Sequence, residues 1–195
     1  PSLGCLSDCL HAAPGQPART ATADDHIRSN QLFAITLGAV EENEQRRQIL
    51  SACGELLVPG AIRSLADRPV SHPLPVQFRG KPLNDPHRPY WGRYTGDEDT
   101  RRKPAYHNGT AWTWPFPTYC EAWAASYGEE GRTAALAWLA SSTVLLESGC
   151  IGHLPEILDG DYPHRTRGCD AQSWGVSEWV RVWLKLQSPQ PDRTD

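Results

Sequence analysis

The sequence predicts an all-α fold of helical hairpins joined by long irregular loops. Apolar residues recur at helical spacing wherever a sustained period is visible. Gly and Pro break that pattern into segments short enough to pair as hairpins. Alternation of apolar and polar residues, the mark of a half-buried strand, is confined to 74–78.

The first helix spans 27–40, with Ile27, Leu32, Phe33 and Ile35 on adjoining faces and Asp25 or Ser29 as its cap. The acidic EENE run opens the second, 41–57, where it suits the positive helix N-terminus. There Ile49, Leu50, Cys53, Leu56 and Leu57 make a buried stripe, and VPG at 58–60 stops it. The near-absent linker makes these two a hairpin. In a second hairpin, Phe116, Tyr119, Cys120, Trp123 and Tyr127 share a face, with Pro115 or Pro117 in the first turn. Gly128 separates them from 129–148, whose face is Ala135, Trp138, Leu139, Leu145 and Leu146. A last helix, 171–187, buries Val176, Trp179, Val180, Trp183 and Leu184 behind an Asp170 cap. Residues 1–187 thus form one domain, and the polar SPQPDRTD tail (188–195) is expected to be disordered.

Composition narrows the function. The 195 residues carry 19 basic and 23 acidic side chains, net −4, which argues against nucleic acid or an anionic membrane as the main partner. No apolar run approaches the ~20 residues that span a bilayer, and the first residues lack the basic-then-apolar pattern of a signal peptide. A cytoplasmic location is expected. The chain has no Met, so it is expected to be a processed product or a fragment of a longer chain. Six cysteines at this length do not make a disulfide scaffold, and Cys5, Cys9 and His11 lack the second half of a zinc site. GxGxxG, GxxxxGK[ST] and G-x-S-x-G are absent, so no nucleotide, other cofactor or metal is expected.

The aperiodic segments 59–115 and 149–170 carry the chemistry, because compact domains rarely keep loops beyond about 12–15 residues without a use. In CIGHLPEILDGDYPHRTRGCDAQSW (150–174), Glu156 sits between Leu154-Pro155 and Ile157-Leu158, and His164, Arg165 and Arg167 follow closely. A carboxylate held ionised but poorly solvated suits a general base. The competing reading makes Glu156, Asp159 and Asp161 solvated turn residues. In YHNGTAWTW (106–114), aromatic rings alternate with hydrogen-bonding groups, which suits the apolar face and hydroxyl belt of a sugar. The competing reading makes Trp112 and Trp114 a cover for the helical core.

Four blocks, in order, resemble the glycogen debranching enzyme family in its bacterial form, over the C-terminal amylo-α-1,6-glucosidase region. They are DDHIRSNQLFAITLGAV (24–40), LLVPGAIRSLA (56–66), RYTGDEDTRRKPAYHNGTAWTWPF (93–116) and LPEILDGDYPHRTRGCDAQSWGVSEW (154–179). The resemblance implies an (α/α)6 toroid, of which this chain is roughly the C-terminal half, with a sugar pocket built by loops at one end. It implies release of α-1,6-linked glucose from glycogen or limit dextrin by two carboxylates, set roughly 6.5–9.5 Å apart in inverting enzymes. Glu156 matches the catalytic base. Tyr106, His107, Asn108, Trp112, Gln172 and Trp174 match pocket-lining motifs, and Arg63, Tyr94 and Asp159 join them as substrate-binding residues. The family's general acid, in a Thr-Trp-Met-Asp motif, has no match here, nor has its N-terminal half, which becomes an expected partner. AWTW stands where the family has VWPW, with Pro115 one residue later. The chain alone is therefore expected to be inactive on branch points. Alternatives are another (α/α)6 α-glucosidase, such as a trehalase-like hydrolase, or a non-catalytic carbohydrate-binding remnant.

Overall fold

The computed structural model describes residues 4–188, so most of the 188–195 tail lies outside the described residues. Among the described residues, 43% are helical, 3-10 and π turns included, and 10% lie in strands, with five α-helices and a five-stranded antiparallel sheet. The all-α expectation, with its portion of a helical toroid, is therefore corrected: the fold is mixed α and β.

In chain order, β1 (Leu10–His11) pairs antiparallel with β2 (Thr22–Ala23). A 3-10 turn, Ser29–Gln31, leads into α1 (Leu32–Thr36), and α2 (Asn43–Gly54) follows. The expected 27–40 helix is cut short because Arg28 is extended and Gly38 adopts a left-handed φ of +75°. β3 (Leu57–Val58) turns through Gly60 into β4 (Ala61–Arg63). At Gly60, φ is +73° and an added Cβ would lie 2.7 Å from Leu145, so only glycine fits. β5 (Gln77–Phe78) and β6 (Lys81–Pro82) form a separate hairpin. Then come α3 (Lys103–Tyr106), β7 (Ala111–Trp112), α4 (Pro115–Ser141), β8 (Ile157–Leu158), β9 (Thr166–Arg167) and α5 (Ser173–Gln187). The central sheet has the order β3-β4-β7-β8-β9. Its strands are two or three residues long, too short to show a period of two.

The second hairpin forms where expected. Gly128 in α4 has φ 64° and ψ −143°, outside any right-handed helix. The Trp123 and Trp138 ring centroids are 4.9 Å apart, whereas a straight helix would separate these residues by about 22 Å. The helix past Gly128 ends at Ser141 and continues as a 3-10 turn, Ser142–Glu147. Gln172, not Asp170, stands at the N-cap of α5. Among the described residues, no helix is long and apolar enough to cross a membrane.

Three apolar clusters hold these parts. Leu32, Leu50, Cys53 and Leu56 join α1 and α2 to Tyr119 and Ala122 of α4. Phe116, Cys120 and Leu139 meet Val182 and Leu186 of α5. Val58, Ala61, Ala111, Leu154 and Leu158 gather beneath the sheet against Leu145.

One buried acid fastens α4 to α5: Glu121 accepts from Arg181 Nη2 at 2.6 Å and Lys185 Nζ at 2.5 Å. Burial alone would raise its carboxyl, but the two cations outweigh burial and hold it below 4.5. A depressed carboxyl stabilises the fold above its unfolded value and loses that contribution as pH falls through 4.5 toward the folded value. Between about pH 6 and about pH 4, the urea midpoint is expected to fall less in Glu121→Gln than in the wild type. Equal falls would show that this three-residue cluster does not set the acid sensitivity.

Candidate active site

The sheet brings the two informative loops together. β7 pairs with β8 in the register Trp112↔Ile157, which places Glu156 beside Thr113. The Thr113 N–H donates to the Glu156 carbonyl at 3.3 Å, and its hydroxyl donates to Pro155 O at 2.7 Å. From the other side, the Glu156 N–H donates to Cys169 O at 2.8 Å. The Glu156 backbone is thus pinned between two neighbours.

Its carboxylate is equally fixed. The Tyr106 hydroxyl donates to Oε1, and the Cys169 N–H donates to Oε2 at 3.0 Å. Gly168, with φ +70°, closes over it: a Cβ there would lie 2.4 Å from Oε2. Burial, together with the hydrogen bond to Glu156, pushes the Tyr106 hydroxyl above its ordinary value, so it stays a donor. Trp112 Nε1 in turn donates to Tyr106 O at 3.0 Å, and the two rings meet edge-on with centroids 4.6 Å apart. Carboxylate, tyrosine and tryptophan form one braced unit.

A cleft of about 230 Å³ abuts this unit at Trp112 and is lined by Arg28, Asn30, Ser64, His107, Trp112, Trp114 and Trp174 among others. Trp114 stacks on Trp174 at 4.0 Å and on Phe33 at 5.7 Å. His107 stacks on Trp112 at 5.4 Å. Burial, reinforced by the Arg28 cation, lowers the His107 imidazole below its ordinary value, so a neutral ring faces the cleft at neutral pH. The residues that line the cleft include no carboxylate. Glu156 reaches it through Tyr106 rather than lining it.

The predicted residues divide into two groups. His107, Trp112 and Trp174 line the cleft, and Tyr106 links it to Glu156. Arg63 spends its guanidinium on Gly160 O at 2.9 Å and Glu55 O at 3.2 Å. The Asn108 amide donates to Pro104 O and accepts from Arg28 Nη2. Asp159, 2% exposed, accepts from Arg167 and from the Tyr94 N–H at 2.9 Å. These three side chains hold loops in place. The Tyr94 ring lies 5.6 Å from Tyr106, outside the cleft. The Gln172 N–H donates to Leu154 O, while its Oε1 is buried without a partner.

Arg28, Asn30 and Ser64 line the cleft without having been foreseen as site residues, and Trp114 joins them from the 106–114 aromatic stretch. Arg28 organises the cleft rim: Nη1 donates to Ser64 O and His107 O, and Nη2 donates to Asn108. No signal in the sequence singles it out, because Asp24, Asp25, His26, Ser29, Asn30 and Gln31 surround it as in an ordinary polar stretch. A second cavity, about 480 Å³ at the Gly128 bend, contains none of the predicted residues. Among the described residues, no three His, Cys, Asp or Glu side chains are grouped to hold a metal ion.

A family model described as amylo-alpha-1,6-glucosidase matches residues 15–181, a span that contains every residue of the site. A search of curated proteins finds no match.

Proposed function

Because the chain belongs to the amylo-alpha-1,6-glucosidase family, we propose that it acts on α-1,6-linked glucose at the branch points of glycogen or limit dextrin, with Glu156 as general base. The observation that carries this reading is the bracing of the Glu156 carboxylate by Tyr106 and Cys169, one side chain away from an aromatic cleft. The cleft is smaller than the ~300–1,000 Å³ common for drug-sized ligands and suits a single sugar ring. Tryptophan faces take the C–H side of the ring, while Arg28, Asn30 and Ser64 offer polar edges to its hydroxyls.

Each carboxylate oxygen of Glu156 accepts one hydrogen bond and keeps a lone pair for water. As that water attacks the anomeric carbon, Glu156 takes its proton. The departing glycosidic oxygen also needs a proton, and no residue lining the cleft is an acid that would supply it. α-Glucosyl fluoride removes that need, since fluoride leaves unprotonated. The purified chain is expected to release glucose from α-glucosyl fluoride and negligibly from limit dextrin. Robust release from limit dextrin would overturn this division of labour.

The missing acid also favours a second reading, in which the site binds glucose without turning it over. Saturable glucose binding with neither substrate hydrolysed would select it. Both readings place the sugar on Trp174, which is 48% exposed and stacked on Trp114. Trp174→Ala is expected to weaken glucose binding roughly tenfold, about 1.4 kcal/mol, in a calorimetric titration. Unchanged affinity would move the sugar elsewhere.

A further inference from the structure

The cavity of about 480 Å³ at the Gly128 bend shares no lining residue with the tryptophan cleft. Three cations reach it from three helices: Arg46 of α2, Arg132 of α4 and Lys185 of α5. Like charges gathered in one concavity repel each other, and an anion placed among them relieves that repulsion.

Arg46 is the least satisfied of the three. Its Nε donates to Val40 O at 2.8 Å and its Nη1 to Ala125 O at 3.5 Å, which fixes the guanidinium. Among the described residues, no carboxylate pairs with it and Nη2 has no acceptor. Arg132 pairs with Glu129 at 2.7 Å, but that carboxylate is 70% exposed and can swing into water. Lys185 shares the single buried acid Glu121 with Arg181. The lining ions and their partners are four cations, Arg46, Arg132, Arg181 and Lys185, against three carboxylates, Glu121, Glu129 and Glu178. The bend is therefore positive within a chain of net −4. Gly128 interrupts α4 here, so the helix that resumes at Glu129 adds its positive N-terminal end to the same wall.

We infer that this cavity binds a small phosphomonoester. Guanidinium forks match phosphate oxygens, and a dianion answers the excess of positive charge. Ile35, Ala124 and Ala125 give the organic body an apolar wall. The concave shape and the net charge of the chain turn away nucleic acid and anionic membranes, the extended surfaces that also present phosphate. The inference is independent of what the tryptophan cleft binds.

Titration of the full chain with phenyl phosphate, followed by backbone NMR and calorimetry, tests it. Saturable shifts are expected at the amides of Gly38, Ala125, Gly128 and Glu129, while phenol, which lacks the anion, produces none. Arg46→Gln is expected to weaken phenyl phosphate by about tenfold or more. That variant also loses a hydrogen bond to Val40 O, so a second substitution reads the opposite sign. Glu129→Gln removes the competing carboxylate and is expected to tighten binding about threefold, a gain that a damaged fold does not give. Binding that neither substitution alters overturns the anion site. Equal shifts from phenol overturn it too, as a merely apolar cavity. Shifts confined to Asn30, Ser64 and the Trp174 indole would place the anion on Arg28 and overturn it as well. The absence of any saturable shift overturns it outright.

Discussion

Glu156→Gln is expected to lower hydrolysis of α-glucosyl fluoride by roughly 10²–10⁴-fold, the range for losing a positioned base. Glucose should still bind, because Glu156 does not line the cleft that takes the ring. The substitution also removes the anion between two donors. The glutamine oxygen can accept from the Cys169 N–H while its NH₂ donates to the Tyr106 hydroxyl oxygen, so both braces survive without the charge. Glu156→Ala removes the braced group and opens space on the face that the carboxylate serves. Azide should enter there, restore part of the turnover and leave a β-configured glucosyl azide. No rescue, or an α-configured product, would place the base elsewhere. Undiminished hydrolysis in both variants would remove Glu156 from the chemistry. Tyr106→Phe deletes one of the two braces and should cost less than either, about tenfold.

Asp159→Ala is expected to be the most destabilising of the substitutions discussed, by about 3 kcal/mol in urea unfolding, because it strands Arg167 and removes an acceptor from the Tyr94 N–H. The estimate sits at the low end of the range for broken buried pairs because Arg167 keeps 30% of its side chain exposed. Asp159→Asn retains the shape and an oxygen for Tyr94, and should lose roughly half as much. Neither change should alter glucose affinity per folded molecule, since Asp159 lines no part of the tryptophan cleft. Lost affinity with stability intact would support the expectation that Asp159 binds substrate.

The two loops that build the site stand out in the sequence for a physical reason. Aromatic and hydrogen-bonding residues at 106–114, and a carboxylate flanked by apolar residues at 154–158, are costly in a solvated loop unless a neighbour covers them. The second hairpin was equally plain, because its apolar face repeats over many turns and Gly128 interrupts it. The sheet was not. Strands such as Leu57–Val58 and Ile157–Leu158 contain too few residues for alternation, and their partners are distant in the chain.

Side-chain purpose was harder still. Arg63, Asn108 and Asp159 carry the polar groups expected of a binding site, yet each is saturated by backbone or by a neighbouring side chain. Arg28, in contrast, looked like part of a helix start and proves to tie together Ser64, His107 and Asn108. Local order along the chain, namely the helix faces, the breaks at glycine and the chemistry-rich loops, is written in residue spacing and can be read there. Which donor meets which acceptor depends on contacts between segments such as 28 with 107 and 106 with 156, closed only when burial of the apolar clusters brings those segments together. Residue type states what a side chain can do; the packed structure leaves it free to do so or spends it on the fold.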